Sequence, residues 1–263
     1  MLLAAFPATR EATPASREAL ERVHAHEYLK VLESVREAGL FGTLDTIASE
    51  TSWEACLLAA GAAIAAAESG AFALVRPPGH HAVPTGAMGF CLVNNVAVAA
   101  RHMQAEHDVG RIAIVDFDVH HGNGTQDVFE HDDSVLYASL HQIGIYPGTG
   151  AAGEGGATTV NVPLRAGCGD GEWVDAFERY VEPAVTRFAP ELVLVSAGFD
   201  AHEDEDLYLV DMHVTDDGFR ELAARCAALG PRVAAVLEGG YNLETLPGLV
   251  TAALTGFAST TAG

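Results

Sequence analysis

Apolar positions recur every three to four residues across about residues 16–38, with Leu20, Val23, Tyr28, Val31 and Val35 on one stripe, which predicts an amphipathic helix. A second helix is predicted to start at Thr51 or Ser52, where Ser-Trp-Glu-Ala gives a weak capping pattern. Short β-rich runs then recur at 72–75, 111–117, 135–140, 158–162, 192–196 and 233–237. Helical stretches fall between several of them, at 93–107, 171–188, 216–228 and 243–257. Runs that are apolar on both faces and alternate with helices predict an α/β fold, a mainly parallel sheet covered by helices on both sides. No repeat, linker or low-complexity block divides residues 1–263, so one domain is expected. In such sheets ligands collect beyond the carboxyl ends of the strands. The polar clusters stand there: His80–His81, the segment from Asp116 to His121, His141, Asp200, and Glu238 to Tyr241.

Charge narrows the function classes. Against 36 acidic residues there are 14 basic ones, a formal net charge of -22, and Lys30 is the sole lysine. Such a surface repels phosphate backbones and anionic membranes, so nucleic acid and membrane are not expected partners. It resembles the surfaces of proteins from salt-loaded cytoplasms, where ionic strength screens self-repulsion. Hydrophobic residues make up 49% of the chain, ample for a core and against disorder. Cys56, Cys91, Cys168 and Cys226 are far apart and without a C-x-x-C pair, which predicts mostly buried thiols in a reducing compartment. Residues 1–7 lack the basic start and apolar run of a secretory leader, and a cytoplasmic location is expected. The most apolar window, 55–67, is short and Ala-rich, a buried helix rather than a membrane span.

The densest chemistry lies in Asp116-Phe117-Asp118-Val119-His120-His121-Gly122-Asn123-Gly124. In an extended segment Asp116, Asp118 and His120 project to one side, and a carboxylate and an imidazole two residues apart can chelate one divalent cation. Asp200, ending the run that starts at Leu192, is placed to be the third ligand. Two Asp and one His leave a coordination position for water, as a catalytic zinc site requires. Read alone, the same residues could be solvated loop residues or caps. In Arg76-Pro77-Pro78-Gly79-His80-His81 a rigid turn can present two imidazoles to one pocket, one neutral as base and one charged; two ordinary loop histidines are the plain alternative. Gly239-Gly240-Tyr241 offers a phenol that could donate to a developing oxyanion, or could simply pack. The G-x-G-x-x-G match at 148–153 precedes a strand-like run and is no dinucleotide loop. His24 and His26 are expected on a helix surface, and His102, His107, His131, His202 and His213 show no second ligand at useful spacing. No G-x-S-x-G elbow is present.

Together these segments resemble the histone deacetylase superfamily, including its bacterial and archaeal deacetylases and its acetoin-utilisation and acetylpolyamine amidohydrolase members. The matching blocks are RPPGHHA at 76–82, GFCLVNN at 89–95, VDFDVHHGNGTQDVF at 115–129, SLHQ at 139–142, YPGTG at 146–150, NVPL at 161–164, SAGFDAH at 196–202 and LEGGYN at 237–242, within about residues 21–246. The wording of the first and third is closer to class II than to class I.

The resemblance implies an arginase/deacetylase-like three-layer fold and a zinc amidohydrolase that removes acetyl groups from lysine side chains. Asp118, His120 and Asp200 would bind zinc, with iron(II) the alternative ion. His81 would be the general base on the attacking water and then the acid toward the leaving amine. His80 would be its electrostatic neighbour, oriented by Asp116, with Asn123 behind His81. Tyr241 would stabilise the oxyanion. Gly89, Phe90 and Tyr146 would line the acyl-lysine channel, with Leu207 at its rim. Backbone oxygens around Asp116, Asp118, His120 and Leu140, with Ser139, would hold a structural potassium or sodium ion. Acetylated protein or peptide lysine is the expected partner; acetylated polyamines are the alternative, and an acidic rim at Glu203, Asp204, Glu205 and Asp206 would welcome either cation. A truncated, inactive binding protein is the reading from another class, and self-association is left open. The family pattern opens with an initial strand and rim loop that are expected to be missing here, through a start assigned too late or with another segment or a partner compensating, and Met1-Leu2-Leu3-Ala4-Ala5 stands where the family's second strand would be.

Overall fold

The structure, a computed structural model, describes residues 2–259. Its helices are α1 (Leu2–Ala5), α2 (Arg17–Glu21), α3 (His26–Glu33), α4 (Ser52–Ser69), α5 (Asn95–His107), α6 (Asn123–Phe129), α7 (Asp170–Ala176), α8 (Glu182–Phe188), α9 (Asp216–Ala228) and α10 (Leu246–Ala258). Its strands are β1 (Gly39–Leu40), β2 (Ile47–Ala48), β3 (Phe72–Ala73), β4 (Ile112–Asp116), β5 (Val135–Gln142), β6 (Thr159–Leu164), β7 (Cys168–Gly169), β8 (Leu192–Ala197), β9 (Met212–His213) and β10 (Val233–Leu237).

The main sheet runs β3–β10–β8–β4–β5–β6 and every pairing in it is parallel. Alternation of side chains builds the three layers. Ile112, Ile114, Leu192, Leu194, Ala234 and Val236 join the core under α2–α5. Ala113, Val115, Val193, Val195, Ala235 and Leu237 face the core under α7–α10. A strand buried on both faces therefore reads as an unbroken apolar run, as the sequence does. From β4 the chain steps outward to β5 and β6, then returns on the other side of β4 through β8 to β10. β4 and β8 are thus central neighbours at the point where strand order reverses, and Asp116 stands in register with Ser139 on one side and Ser196 on the other. The crevice for chemistry lies beyond their carboxyl ends.

Three expectations are corrected. Residues 2–5 form α1, not a strand; its Leu and Ala residues favour helix and none is β-branched. The predicted helix at 16–38 is two helices broken between Glu21 and His26, and the stretch at 171–188 passes through a π-helical turn, Phe177–Val181. The short pairs β1–β2 and β7–β9, and helix α6, were not anticipated. Among the described residues no helix is long and apolar enough to cross a membrane.

The break after α2 has a cause in His24, which is buried and not on a helix surface. Its Nδ1–H donates to Val83 O at 3.1 Å, and its Nε2 accepts from Asn94 N–H at 2.9 Å. Asn94 in turn caps α5 through Ala97 N–H. The neutral tautomer alone satisfies both bonds. Burial lowers the His24 pKa to about 4, against weaker raising by the Val83 and Pro84 carbonyls. The folded state thus stays neutral where the unfolded chain takes up a proton, so stability is full above pH 6.5 and is lost as pH falls toward 4. This group is expected to account for on the order of 3 kcal/mol of that loss, at 1.36 kcal/mol per pKa unit. In urea unfolding at pH 7 and pH 4.5, His24→Gln should show a correspondingly flatter pH dependence; an undiminished slope would rule His24 out as the titrating group.

Candidate active site

β4 delivers Asp116 at its last position and releases Phe117–His120 over the end of β8, from which Gly198 and Asp200 follow. Asp118, His120 and Asp200 converge there: His120 Nδ1 lies 3.2 Å from Asp118 Oδ1 and 3.0 Å from Asp200 Oδ2. One ligand atom from each of the three lies within 4.8 Å of the others. The second oxygen of each carboxylate is already committed to the backbone. Asp118 Oδ2 accepts from Gly239 N–H at 2.7 Å and Asp200 Oδ1 from Val119 N–H at 2.9 Å. A Cβ at Gly239 would collide with both carboxylates, so glycine is what lets the backbone come this close. The remaining oxygens face one point together with the imidazole, a donor set and spacing that suit a tetrahedral dication with one position left open.

Charge is concentrated at the same point. Burial would lower the His120 pKa, but its bonds to Asp118 and Asp200 outweigh this and raise it to about 10. Burial would raise Asp118, yet His80 and His120 hold it well below the usual carboxylate range. Burial and the Asp118 charge raise Asp200. Two buried carboxylates without a cation between them repel.

The two imidazoles of the 76–81 turn are differentiated by what stands behind them. His80 Nδ1–H donates to Asp116 Oδ2 at 3.0 Å, an oxygen that also accepts from Tyr137 OH. Burial opposes charging of His80, but Asp118 and Asp116 prevail and raise its pKa to about 10. His81, its ring centroid 4.0 Å away, donates Nδ1–H to Asn123 Oδ1 at 2.8 Å. Burial, then the His80 and His120 charges, push its pKa well below the ordinary value. One ring is therefore cationic and the other neutral, with its Nε2 lone pair free, which is the division that acid–base chemistry needs. The turn itself hangs on Glu238, whose Oε2 accepts from Gly79 and His80 N–H and whose Oε1 accepts from Ser196 Oγ. Burial raises the Glu238 pKa to about 7.

Tyr241 follows Gly240, whose φ of 106° is a backbone conformation that glycine adopts freely. Arg76 lies 5.4 Å from the Tyr241 ring centroid and donates to Gly240 O. Burial, then the Asp200 and Asp118 charges, raise the phenol far above its usual pKa, so it stays an O–H donor. Sequence reading missed what holds it. Glu205 accepts from Tyr241 N–H at 2.8 Å and from Asn242 N–H at 3.3 Å. The expected rim of four acids is thereby corrected: Glu203, Asp204 and Asp206 are exposed, but half-buried Glu205 turns inward.

The predicted channel residues are partly brought together. Tyr146 stands edge-on to His81 with centroids 5.1 Å apart, and Phe90 meets Tyr241 at 5.8 Å. Gly89 packs directly on His81, where a Cβ would strike the ring. Phe90 is half exposed with a φ of 65°, a strained value for an aromatic residue. A turn that sequence reading did not flag holds this wall: Asp45 accepts from Gly89 N–H and Thr46 Oγ1 from Phe90 N–H. Leu207, half-buried, sits in the loop that Gln142 fastens through Leu209 O and Asp211 N–H. Ser139 Oγ bonds His141 Nδ1 at 2.9 Å, and His141 Nε2 meets Gly150 O at 2.9 Å. The latter contact requires Nε2–H, so Ser139 donates to Nδ1 and keeps its lone pairs for another ligand. His102 and His107, expected to have no partner ligand at useful spacing, do share one: Glu68 meets both rings.

An open parallel sheet whose carboxylates and imidazoles gather at the strand-order reversal puts a candidate metal site where such sheets bind ligands. The chain belongs to the histone deacetylase family, whose Histone deacetylase domain matches residues 2–257. It is 45% identical over 262 residues to "Histone deacetylase 10, chloroplastic" of Oryza sativa subsp. japonica, covering 89% of this chain and 59% of that protein. It is 42% identical over 258 residues to a "Histone deacetylase-like amidohydrolase" of Pseudomonas aeruginosa, covering 90% and 67%. The chain spans about three fifths of the length of the two chloroplastic relatives it matches, from Oryza sativa and Arabidopsis thaliana. Among solved structures, the HD domain of HDA15 superposes with a TM-score of 0.92 at 38% identity, over 99% of this chain and 83% of that one. An acetylpolyamine aminohydrolase from Burkholderia pseudomallei gives 0.88 at 30%, over 98% and 89%. The arginase/deacetylase fold expected from the sequence is the fold observed, and the family is one of hydrolases acting on amides.

Proposed function

We propose that this chain is a zinc-dependent deacetylase acting on N-acetyl-lysine side chains. The observation that carries the reading is the meeting of Asp118, His120 and Asp200 beside one charged and one neutral imidazole and a protonated phenol. Asp118, His120 and Asp200 would hold zinc, which when bound polarises the amide carbonyl and lowers the pKa of water toward ~7.

The residues of the chain do the rest. Asn123 fixes the proton on Nδ1 of His81, so that Nε2 faces the pocket and takes the proton of the attacking water. The same imidazole then delivers that proton to the departing amine. His80, held by Asp116, supplies positive charge where negative charge develops. Tyr241 donates its O–H to the amide oxygen as it becomes an oxyanion. Tyr146, Gly89 and Phe90 bracket the aliphatic stem. Ser139, with the backbone around Asp116, Asp118, His120 and Leu140, would hold a potassium or sodium ion beneath the site, and the lone pairs left on Ser139 fit such a role.

A second reading, deacetylation of acetylpolyamines, draws on the exposed Glu203, Asp204 and Asp206 and on the likeness to the Burkholderia enzyme. Leu207, where an acid would grip a second amine, favours lysine. The test is a hydrolysis panel of acetyl-lysine peptides and acetylated polyamines at low and high salt, with and without chelator. Higher kcat/KM on peptides, abolished by chelation, is expected. A preference for acetylpolyamines would move the substrate assignment, and absence of both turnover and stoichiometric metal would make the chain a binding protein.

A further inference from the structure

On the α2–α5 layer, three side chains that the catalytic reading does not use meet at one point. Glu68 lies one residue before the end of α4, and His102 and His107 both belong to α5. Glu68 Oε1 lies 3.2 Å from His102 Nε2 and 3.0 Å from His107 Nε2. The two rings stand 5.6 Å apart at 49°, and a ligand atom from each of the three lies within 4.8 Å of the others. Hydrogen bonding alone asks only that each ring find an acceptor. Here both rings turn the same nitrogen toward the same carboxylate oxygen, from positions five residues apart on one helix.

We propose that Glu68, His102 and His107 form a second metal site, a surface clamp that takes a borderline dication of the zinc, nickel or copper class. Imidazole suits these ions, and one carboxylate with two imidazoles is a donor set that they accept with water completing the shell. Tetrahedral ligands about 2.0–2.1 Å from an ion stand a little over 3 Å apart, close to the Glu–His separations already present. The C-terminal ends of α4 and α5 converge on this point, since Glu68 and the last residue of α5 touch, and both carry partial negative charge favourable to a cation. Glu106, although paired with Arg22, also stands within electrostatic reach of both histidines. The approach of the two helices that makes the cluster possible comes from small residues: Ala59, Ala60, Ala63 and Ala67 of α4 are buried, as are Ala97, Ala99 and Ala100 of α5. An ion there would tie α4 to α5, the helix whose other end holds Asn95 against the Pro77 carbonyl beside the catalytic turn.

The site is tested by titrating zinc into the full chain after its highest-affinity metal has been loaded, followed by calorimetry and by metal analysis after gel filtration. The parent and a His131→Ala control should bind one further equivalent and melt at higher temperature when it is present. His102→Ala and His107→Ala should each weaken that equivalent by more than about tenfold, and the double variant should abolish both the equivalent and the rise in melting temperature. Deacetylation by these variants should match the parent's. The absence of a further equivalent in the parent, or its retention in the double variant, overturns the assignment. Neither result bears on the catalytic reading, whose own ligands are untouched.

Discussion

Tyr241→Phe is expected to lower kcat by about 10²–10³-fold, the usual cost of removing one oxyanion donor, while bound metal stays at the parent's level. The substitution deletes only the hydroxyl. The ring keeps its contacts with Phe90 and Arg76, and the backbone keeps its bonds to Glu205. Because the phenol is driven far toward its protonated form by burial and by two carboxylates, it acts as a donor across the working pH range and its loss should leave the pH profile unaltered in shape. Steady-state kinetics with metal analysis on the same sample check this. Undiminished kcat would remove Tyr241 from the mechanism.

Asp200→Asn is expected to abolish high-affinity metal binding and to cut deacetylation by about a thousandfold or more, since metal stabilisation of transition-state charge is worth several kcal/mol and each 1.36 kcal/mol is tenfold. The amide keeps Oδ1 as acceptor for Val119 N–H, so the loop after β4 retains its anchor. What disappears is the charged oxygen facing His120. That oxygen is one of the two acceptors of the charged His120 ring, and an amide N–H in its place would oppose the imidazole N–H, so the chelated variant should melt lower than the chelated parent. Metal stoichiometry, hydrolysis rates and thermal melts of the two proteins decide the matter. Full metal occupancy in the variant would mean that Asp200 is not a ligand.

The parts of the molecule legible in the sequence are those where one local pattern suffices. Strands buried on both faces announce themselves as apolar runs, so β4, β5, β8 and β10 were placed to within about two residues. The D-x-H spacing and the residue ending the run from Leu192 pointed to the meeting of Asp118, His120 and Asp200 for the same reason, since adjacent parallel strands bring their carboxyl ends together. Periodicity misled at residues 16–38 because the apolar stripe continues across a break that exists to insert His24 under α5. Glu205, Asp45 and Thr46 carried no signal, as each acts on backbone N–H groups 36 to 44 positions away. Glu68 was invisible as a partner of His102 for a related reason: 34 residues and a turn of fold separate them.

The loop that carries Leu207 and the exposed acids also contains Glu205, and its far end is pinned to β5 by Gln142. In the proposed mechanism, recognition of the incoming amine and orientation of the phenol therefore share one short stretch of chain. Drift that retunes the entrance toward a different amine will disturb the catalytic hydroxyl as well, so substrate preference and speed should be inherited as a linked trait rather than evolve independently.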